Sequence, residues 1–138
     1  GKAEYLRRGS DVTLVACGVM VSRAIKAATA LCSSGIEATV LNMSTIKPID
    51  SDKLYECARA TGCMVTCEDH NIYGGLGSAV AEELARTAPS PVEFVGVNDT
   101  FGESGTPEEL PLMYGISGSH IVKAAREAIR RKNGRRQA

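Results

Sequence analysis

Imidazole is scarce in this chain, which has two histidines, His70 and His120. Its five cysteines, at positions 17, 32, 57, 63 and 67, include no Cys-x-x-Cys pair. A structural zinc site needs four soft donors at characteristic spacings, so these shortages leave one poorly supported. Free cysteines buried as small hydrophobes in a reducing compartment are the simpler account. No apolar run approaches the roughly 20 residues of a membrane span, and no signal peptide is visible. A cytoplasmic protein with no membrane partner is therefore expected.

Excess charge of either sign is also missing, with 16 basic and 16 acidic residues. Net charge thus implies no bulk attraction to nucleic acid or membrane. The distribution is uneven, because residues 123–138 hold seven of the basic groups and only Glu127 as an acid. A basic end of this kind could bind RNA or acidic lipid. The plainer reading is a solvated helix end, where cations also suit the negative pole of the helix. No nucleic-acid partner is expected.

What is present is a regular alternation of strand and helix patterns. A short mixed run at 2–7 precedes the turn signal Gly9-Ser10-Asp11. Val12–Cys17 is short, continuous and β-branched, the pattern of a buried strand. So brief a connection predicts a hairpin, with the first strand antiparallel to the second. From Val21, apolar residues recur at three and four through Cys32, giving an amphipathic helix that Gly35 should stop. Ile36–Met43 is the next strand, parallel to the one before. Asp50 or Ser51 should cap a helix with Leu54, Tyr55, Cys57 and Ala58 inward, closed by Gly62. Cys63–Glu68 follows as a strand whose Cys63 and Cys67 share a face. Ser78–Arg86 is helical, and Pro89 and Pro91 bar its continuation. Val92–Val97 is a fifth strand.

A loop over 98–106 and a short helix from Pro107 then lead to Ser117 or Ser119, either of which suits the cap of a last helix. That helix should run from about His120 to Lys132, with Ile121, Val122, Ala125 and Ile129 inward, and break at Asn133-Gly134. The sum is one α/β domain over residues 1–132, with a basic and frayed tail at 133–138. It is a three-layer α/β/α sandwich on a five-stranded, mostly parallel sheet whose first strand is antiparallel.

The stretch from Cys63 to Val80 carries the polar interest. It places Glu68, Asp69 and His70 at the carboxyl end of a strand and Gly74, Gly75 and Gly77 before a helix. Open α/β sheets bind ligands or partners at such places. Glu68, Asp69 and His70 suggest an acid–base group, but successive residues of a strand point to opposite sides, so they should not converge. The three glycines could offer N–H groups to an anion. Their spacing is neither Gly-x-Gly-x-x-Gly nor a phosphate loop, and close helix–sheet packing explains them equally well. No Ser-His-Asp, Cys-His or metal-spaced set completes a catalytic site. The loop from Thr100 to Pro107 has a composition suited to contact without naming a reaction.

As an ordered set, these stretches do resemble a family. Glu68-Asp69-His70, with Gly74, Gly75, Gly77 and Ala79, resembles the E-[DE]-H…GG-G-x-A segment in the C-terminal domain of transketolases and related thiamine-diphosphate enzymes. Val12–Gly18, Val40–Asp50, Val95–Gly105 and Tyr114–Ile116 accompany it in the family's order and span nearly the whole chain. Cys67 stands where an aliphatic residue is more usual. The resemblance implies the same mixed five-stranded sheet.

It also implies that thiamine diphosphate and a divalent metal belong to the parent enzyme, held by two upstream domains. The family's GDG…N metal-diphosphate motif does not occur here, so no catalytic, cofactor or metal ligand carries over to this chain. By resemblance the chain is the third domain of an enzyme of pentose phosphate metabolism that transfers a two-carbon ketol unit. It would serve assembly or regulation, with the Glu68–Gly77 loop near a dimer contact. The isolated domain should be inactive, and its partners are the missing thiamine-binding domains or subunit within a homodimeric parent. Deoxyxylulose-phosphate synthase or a 2-oxoacid dehydrogenase E1 β-subunit is the alternative parent. An anion- or nucleotide-sensing module at the glycine turn is the alternative from another class.

Overall fold

The structure is a computed structural model and describes residues 1–71, 74–97 and 117–137. Glu4–Arg7 (β1) and Val12–Ala16 (β2) lead into helix α1, Met20–Ser33. Ala38–Asn42 (β3), Ser51–Thr61 (α2), Met64–Asn71 (β4) and Leu76–Thr87 (α3) follow in alternation. Val92–Val97 is β5, and Gly118–Gln137 forms helix α4. The five strands make one sheet in the order β1-β3-β2-β4-β5, with β1 antiparallel to β3 and the other pairs parallel.

Strand β2 lies at the centre, which explains its uninterrupted apolar composition: every residue in it is buried. Its alternate side chains feed two separate cores. Val12, Leu14 and Ala16 pack with Ala24, Ala28 and Leu31 of α1 and with Ile121, Ala125 and Ala128 of α4. Val15 faces the other way, toward Leu54 and Cys57 of α2 and Val80 and Leu84 of α3. Helices thus cover both faces of the sheet, α1 and α4 on one and α2 and α3 on the other. Cys63 and Cys67 do share a face, the α1/α4 side, together with Val65 between them.

The expected hairpin is corrected. Strand β1 does run opposite to β2, but it pairs with β3, Glu4 opposite Asn42 and Tyr5 opposite Leu41. The connection from Arg8 to Asp11 crosses the start of β3 instead of turning back on itself. Asp11 exchanges bonds with Glu37 there, N to O at 2.9 Å and Glu37 N to Asp11 Oδ2 at 2.7 Å. Gly9 exchanges bonds with Thr39 at 2.9 Å, and a β-carbon at Gly9 would lie 2.5 Å from the Glu37 carbonyl. Only a glycine passes that close, so Gly9 serves a crossing rather than a tight hairpin turn.

Helix ends match the glycines read from sequence, with Gly35 just beyond α1 and Gly62 capping α2 in the left-handed region. Asp50, the first of the two candidate caps, receives the Lys53 N–H at 3.2 Å. Tyr55 departs from expectation. It is 47% exposed, and the buried face of α2 is Leu54, Cys57, Ala58 and Thr61. Helix α4 also departs, continuing through Asn133-Gly134 to Gln137. The turn before that pair is anchored. Lys132 donates to the carbonyls of Asp11 and Thr61, and Arg131 to the Val92 carbonyl and the Glu93 carboxylate. Those bonds offset the roughly 1 kcal/mol that a glycine costs a helix interior. The loop over 98–106, the short helix expected at Pro107 and the Tyr114–Ile116 segment lie outside the described residues.

Candidate functional site

Strands β2 and β4 are parallel neighbours, Ala16 opposite Cys67, yet the chain leaves them toward opposite faces. After β2 it passes into α1 and on to β3 on one side. After β4 it passes into α3 and on to β5 on the other. A crevice opens beyond the carboxyl ends of two strands that diverge in this way. The residues at that place are Cys17, just past β2, and its neighbours Glu68 and Asp69 in β4. Val19, at the entrance to α1, is exposed.

Glu68 is fully buried, which an ionisable side chain tolerates only with good partners. Its partners are the first amides of α3. Oε2 accepts from Leu76 N and Oε1 from Gly77 N, both at 2.8 Å. A carboxylate spanning two N–H groups at a helix N-terminus meets unsatisfied donors and the positive end of the helix dipole together. The side chain reaches α3 because Thr66 and Glu68 alternate onto the face of β4 that α3 covers.

Gly77 makes that approach possible. A β-carbon there would sit 2.7 Å from Phe94 Cδ1 and 3.1 Å from both Glu68 Oε1 and Thr66 Oγ1. The helix therefore begins directly on the sheet, with no room for a side chain at its second residue. Gly74 turns at φ 82° and donates to Ser78 Oγ at 2.9 Å, while Gly75 stands at the N-cap position.

The sequence-predicted residues are thus separated by role. Glu68 turns inward to hold the helix, and Asp69 is half-buried on the opposite side of the strand. His70 continues β4, which extends past Glu68 to Asn71. An external anion offered to the start of α3 would find two of its amides already bound to a carboxylate. A diphosphate group does not fit that seat, so no step through thiamine diphosphate is derived from these residues. Among the described residues, no group of three or more His, Cys, Asp or Glu side chains lies close enough to hold a metal ion.

Sequence reasoning missed Cys17 as part of this crevice. Its thiol is pushed above the ordinary cysteine range by burial and by the neighbouring Glu68 and Asp69 charges. Such a thiol is a poor nucleophile at neutral pH. His120 is hydrogen-bonded through Nδ1 to Ser117 at the start of α4. Among the described residues, no helix is long and apolar enough to cross a membrane.

Comparison with known proteins gives this geometry its context. Residues 1–121 match the family model described as transketolase, C-terminal domain. A 6-deoxy-6-sulfo-D-fructose transketolase subunit from Clostridium sp. (strain MSTE9) is 47% identical over 135 residues, covering 98% of this chain and 42% of its own. A 1-deoxy-D-xylulose-5-phosphate synthase from Desulforudis audaxviator is 42% identical over 137 residues, covering 98% of this chain and 22% of its own. Among solved structures, a split-gene transketolase described as an inactive β4 tetramer superposes with a TM-score of 0.91 at 48% identity. That match covers 93% of this chain and 42% of the other. The chain thus spans well under half the length of these relatives. With its mixed five-stranded sheet and the ordered motifs along it, the chain belongs to the transketolase C-terminal domain family.

Proposed function

We propose that this chain is the C-terminal domain of a transketolase-like enzyme and contributes assembly rather than cofactor chemistry. The observation that carries the reading is the match to a transketolase subunit and to a split-gene transketolase, 47% and 48% identical over nearly the whole chain. The inward commitment of Glu68 supports it, because this carboxylate is used to hold α3 against the sheet. The thiamine-diphosphate and metal sites of the parent would then lie in partner domains or a partner subunit, within a dimer or a higher assembly. The crevice rim, with Val19 exposed and Gly74 and Gly75 leading into α3, is the surface we assign to that contact. Five cysteines outside any disulfide fit a cytoplasmic location.

The test is reconstitution. Mixed with a subunit carrying the two thiamine-binding domains, the chain should associate and restore or raise ketol transfer from xylulose phosphate to ribose phosphate. Failure to associate at all would remove the proposal. The 42% identity to a deoxyxylulose-phosphate synthase favours a second reading of the parent. Pyruvate condensation by the reconstituted enzyme, without transfer between sugar phosphates, would select that reading.

A further inference from the structure

At the opposite end of the sheet from the crevice, where β4 and β5 begin, lies a cavity of about 540 Å³. Three basic residues line it, Arg59 of α2 and Lys132 and Arg135 of α4, and none of its described lining residues is acidic. Pro89, Pro91 and Tyr55 form part of its wall. Lys132 is the telling residue. It is 8% exposed, and its ammonium donates to Asp11 O at 2.6 Å and Thr61 O at 2.8 Å. Those two bonds leave one of its three protons unassigned and its charge without a carboxylate among the described residues. Arg59 and Arg135 likewise have no ion-pair partner among the described residues, although Arg86, Arg130 and Arg131 each have one.

Helix dipoles supply a first explanation. The C-terminal ends of α2, α3 and α4 approach this region, and each carries about half a negative charge. Even if all three act fully, they offset about 1.5 units of the three positive charges, so an excess remains. A buried cation without a counter-ion is costly, and like charges gathered around one concavity raise that cost.

We infer that this cavity is a binding site for a phosphate-bearing small anion, seated between the Arg59 and Arg135 guanidinium groups with the Lys132 ammonium behind it. Guanidinium forks match phosphate oxygens in pairs, and the buried ammonium supplies a fixed charge that needs no reordering. The site is independent of the proposed assembly role, since it lies at the far end of the sheet, so either reading could fail alone.

Calorimetric titration of the full chain with inorganic phosphate, pyrophosphate and ribose 5-phosphate at low ionic strength tests the inference. Saturable binding by one site is expected, with the arms separating free phosphate from a phosphomonoester. The double variant Arg59→Gln/Arg135→Gln alters two exposed side chains and should weaken it by about tenfold or more. Arg59→Lys/Arg135→Lys, which keeps the charge and loses the forks, should lie between and covers the case that the first variant folds poorly. No saturable heat at millimolar ligand would overturn the site, as would an equal response to chloride at matched ionic strength. Binding that survives both double variants would place the anion elsewhere and overturn it equally.

Discussion

Glu68 and Gly77 meet at 2.8 Å, carboxylate oxygen to amide nitrogen, and this contact fastens the start of α3 to β4. Glu68→Ala strands the amides of Leu76 and Gly77 without an acceptor in a buried place. A loss of about 3 kcal/mol in stability is expected, read by urea denaturation. Glu68→Gln keeps one acceptor and turns an NH₂ group against the other amide, so its cost should be smaller, about 1–2 kcal/mol. A Gln variant as stable as the parent would show that neither the charge nor the second acceptor matters there.

Gly77→Ala tests the close approach from the other side. Alanine is favoured over glycine in a helix by about 1 kcal/mol, so an open site would gain stability. Here the added methyl meets the Phe94 ring at 2.7 Å and two polar oxygens at 3.1 Å. Net destabilisation of about 1–3 kcal/mol is expected, as for other overpacked positions. Phe94→Leu combined with Gly77→Ala should recover part of the loss, because Phe94 is half-exposed and its ring is the nearest obstacle. A double-mutant cycle with no coupling would contradict this picture.

Asp50 makes stability depend on pH at the acid end. Burial works against its ionisation, but the Ala3 and Lys53 amides bind the carboxylate at 2.8 and 3.2 Å, and Lys2 and Lys53 add positive charge. The balance holds its pKa below the ordinary aspartate value. The stabilisation is therefore complete above the unfolded-state pKa and is lost as pH falls through the lower folded-state value. Asp50→Asn turns an NH₂ group toward one of these two amides, and should cost about 1 kcal/mol at neutral pH and flatten that acid limb. Melting temperatures of the two proteins, followed downward from neutrality, should converge below roughly pH 4. A constant gap at all pH values would count against the carboxylate as the cause.

The cysteines should react in a set order. Cys32 is exposed on α1, Cys17 is half-buried with a raised pKa, and Cys57, Cys63 and Cys67 are buried. Iodoacetamide labelling near pH 8, followed by mass spectrometry, should mark Cys32 first and Cys17 slowly, leaving the other three until unfolding. Asp69→Asn removes one of the charges that hold the Cys17 thiol protonated, so Cys17 labelling should quicken several-fold. An unchanged rate would mean that access alone governs Cys17.

Much of the fold was legible because it rests on local periodicity. The all-apolar run of β2, the three-and-four spacing of α1 and the alternation of Cys63, Val65 and Cys67 each state which face is buried. The loop from Glu68 to Gly77 was legible as a place of interest, since a polar cluster at a strand end before a helix is a topological signal. Its internal division of labour was not. Glu68 caps a helix that begins eight residues later, beyond the reach of any local capping pattern. Tyr55 falls on the apolar arc of α2 by spacing, but the buried side of that helix centres on Leu54, Cys57, Ala58 and Thr61 and leaves it exposed.

By itself the sequence determined the alternation of strands and helices, the mixed sheet and the family, because apolar period and ordered motifs are properties of the chain read one residue after another. Only the tertiary structure decided that β1 lies beside β3, that Glu68 faces α3 and that Lys132 is buried against Asp11 and Thr61. Each is a contact between segments far apart in the chain or on different elements. The free energy of such a contact depends on which surfaces the folded sheet and helices bring together, and no local pattern encodes that.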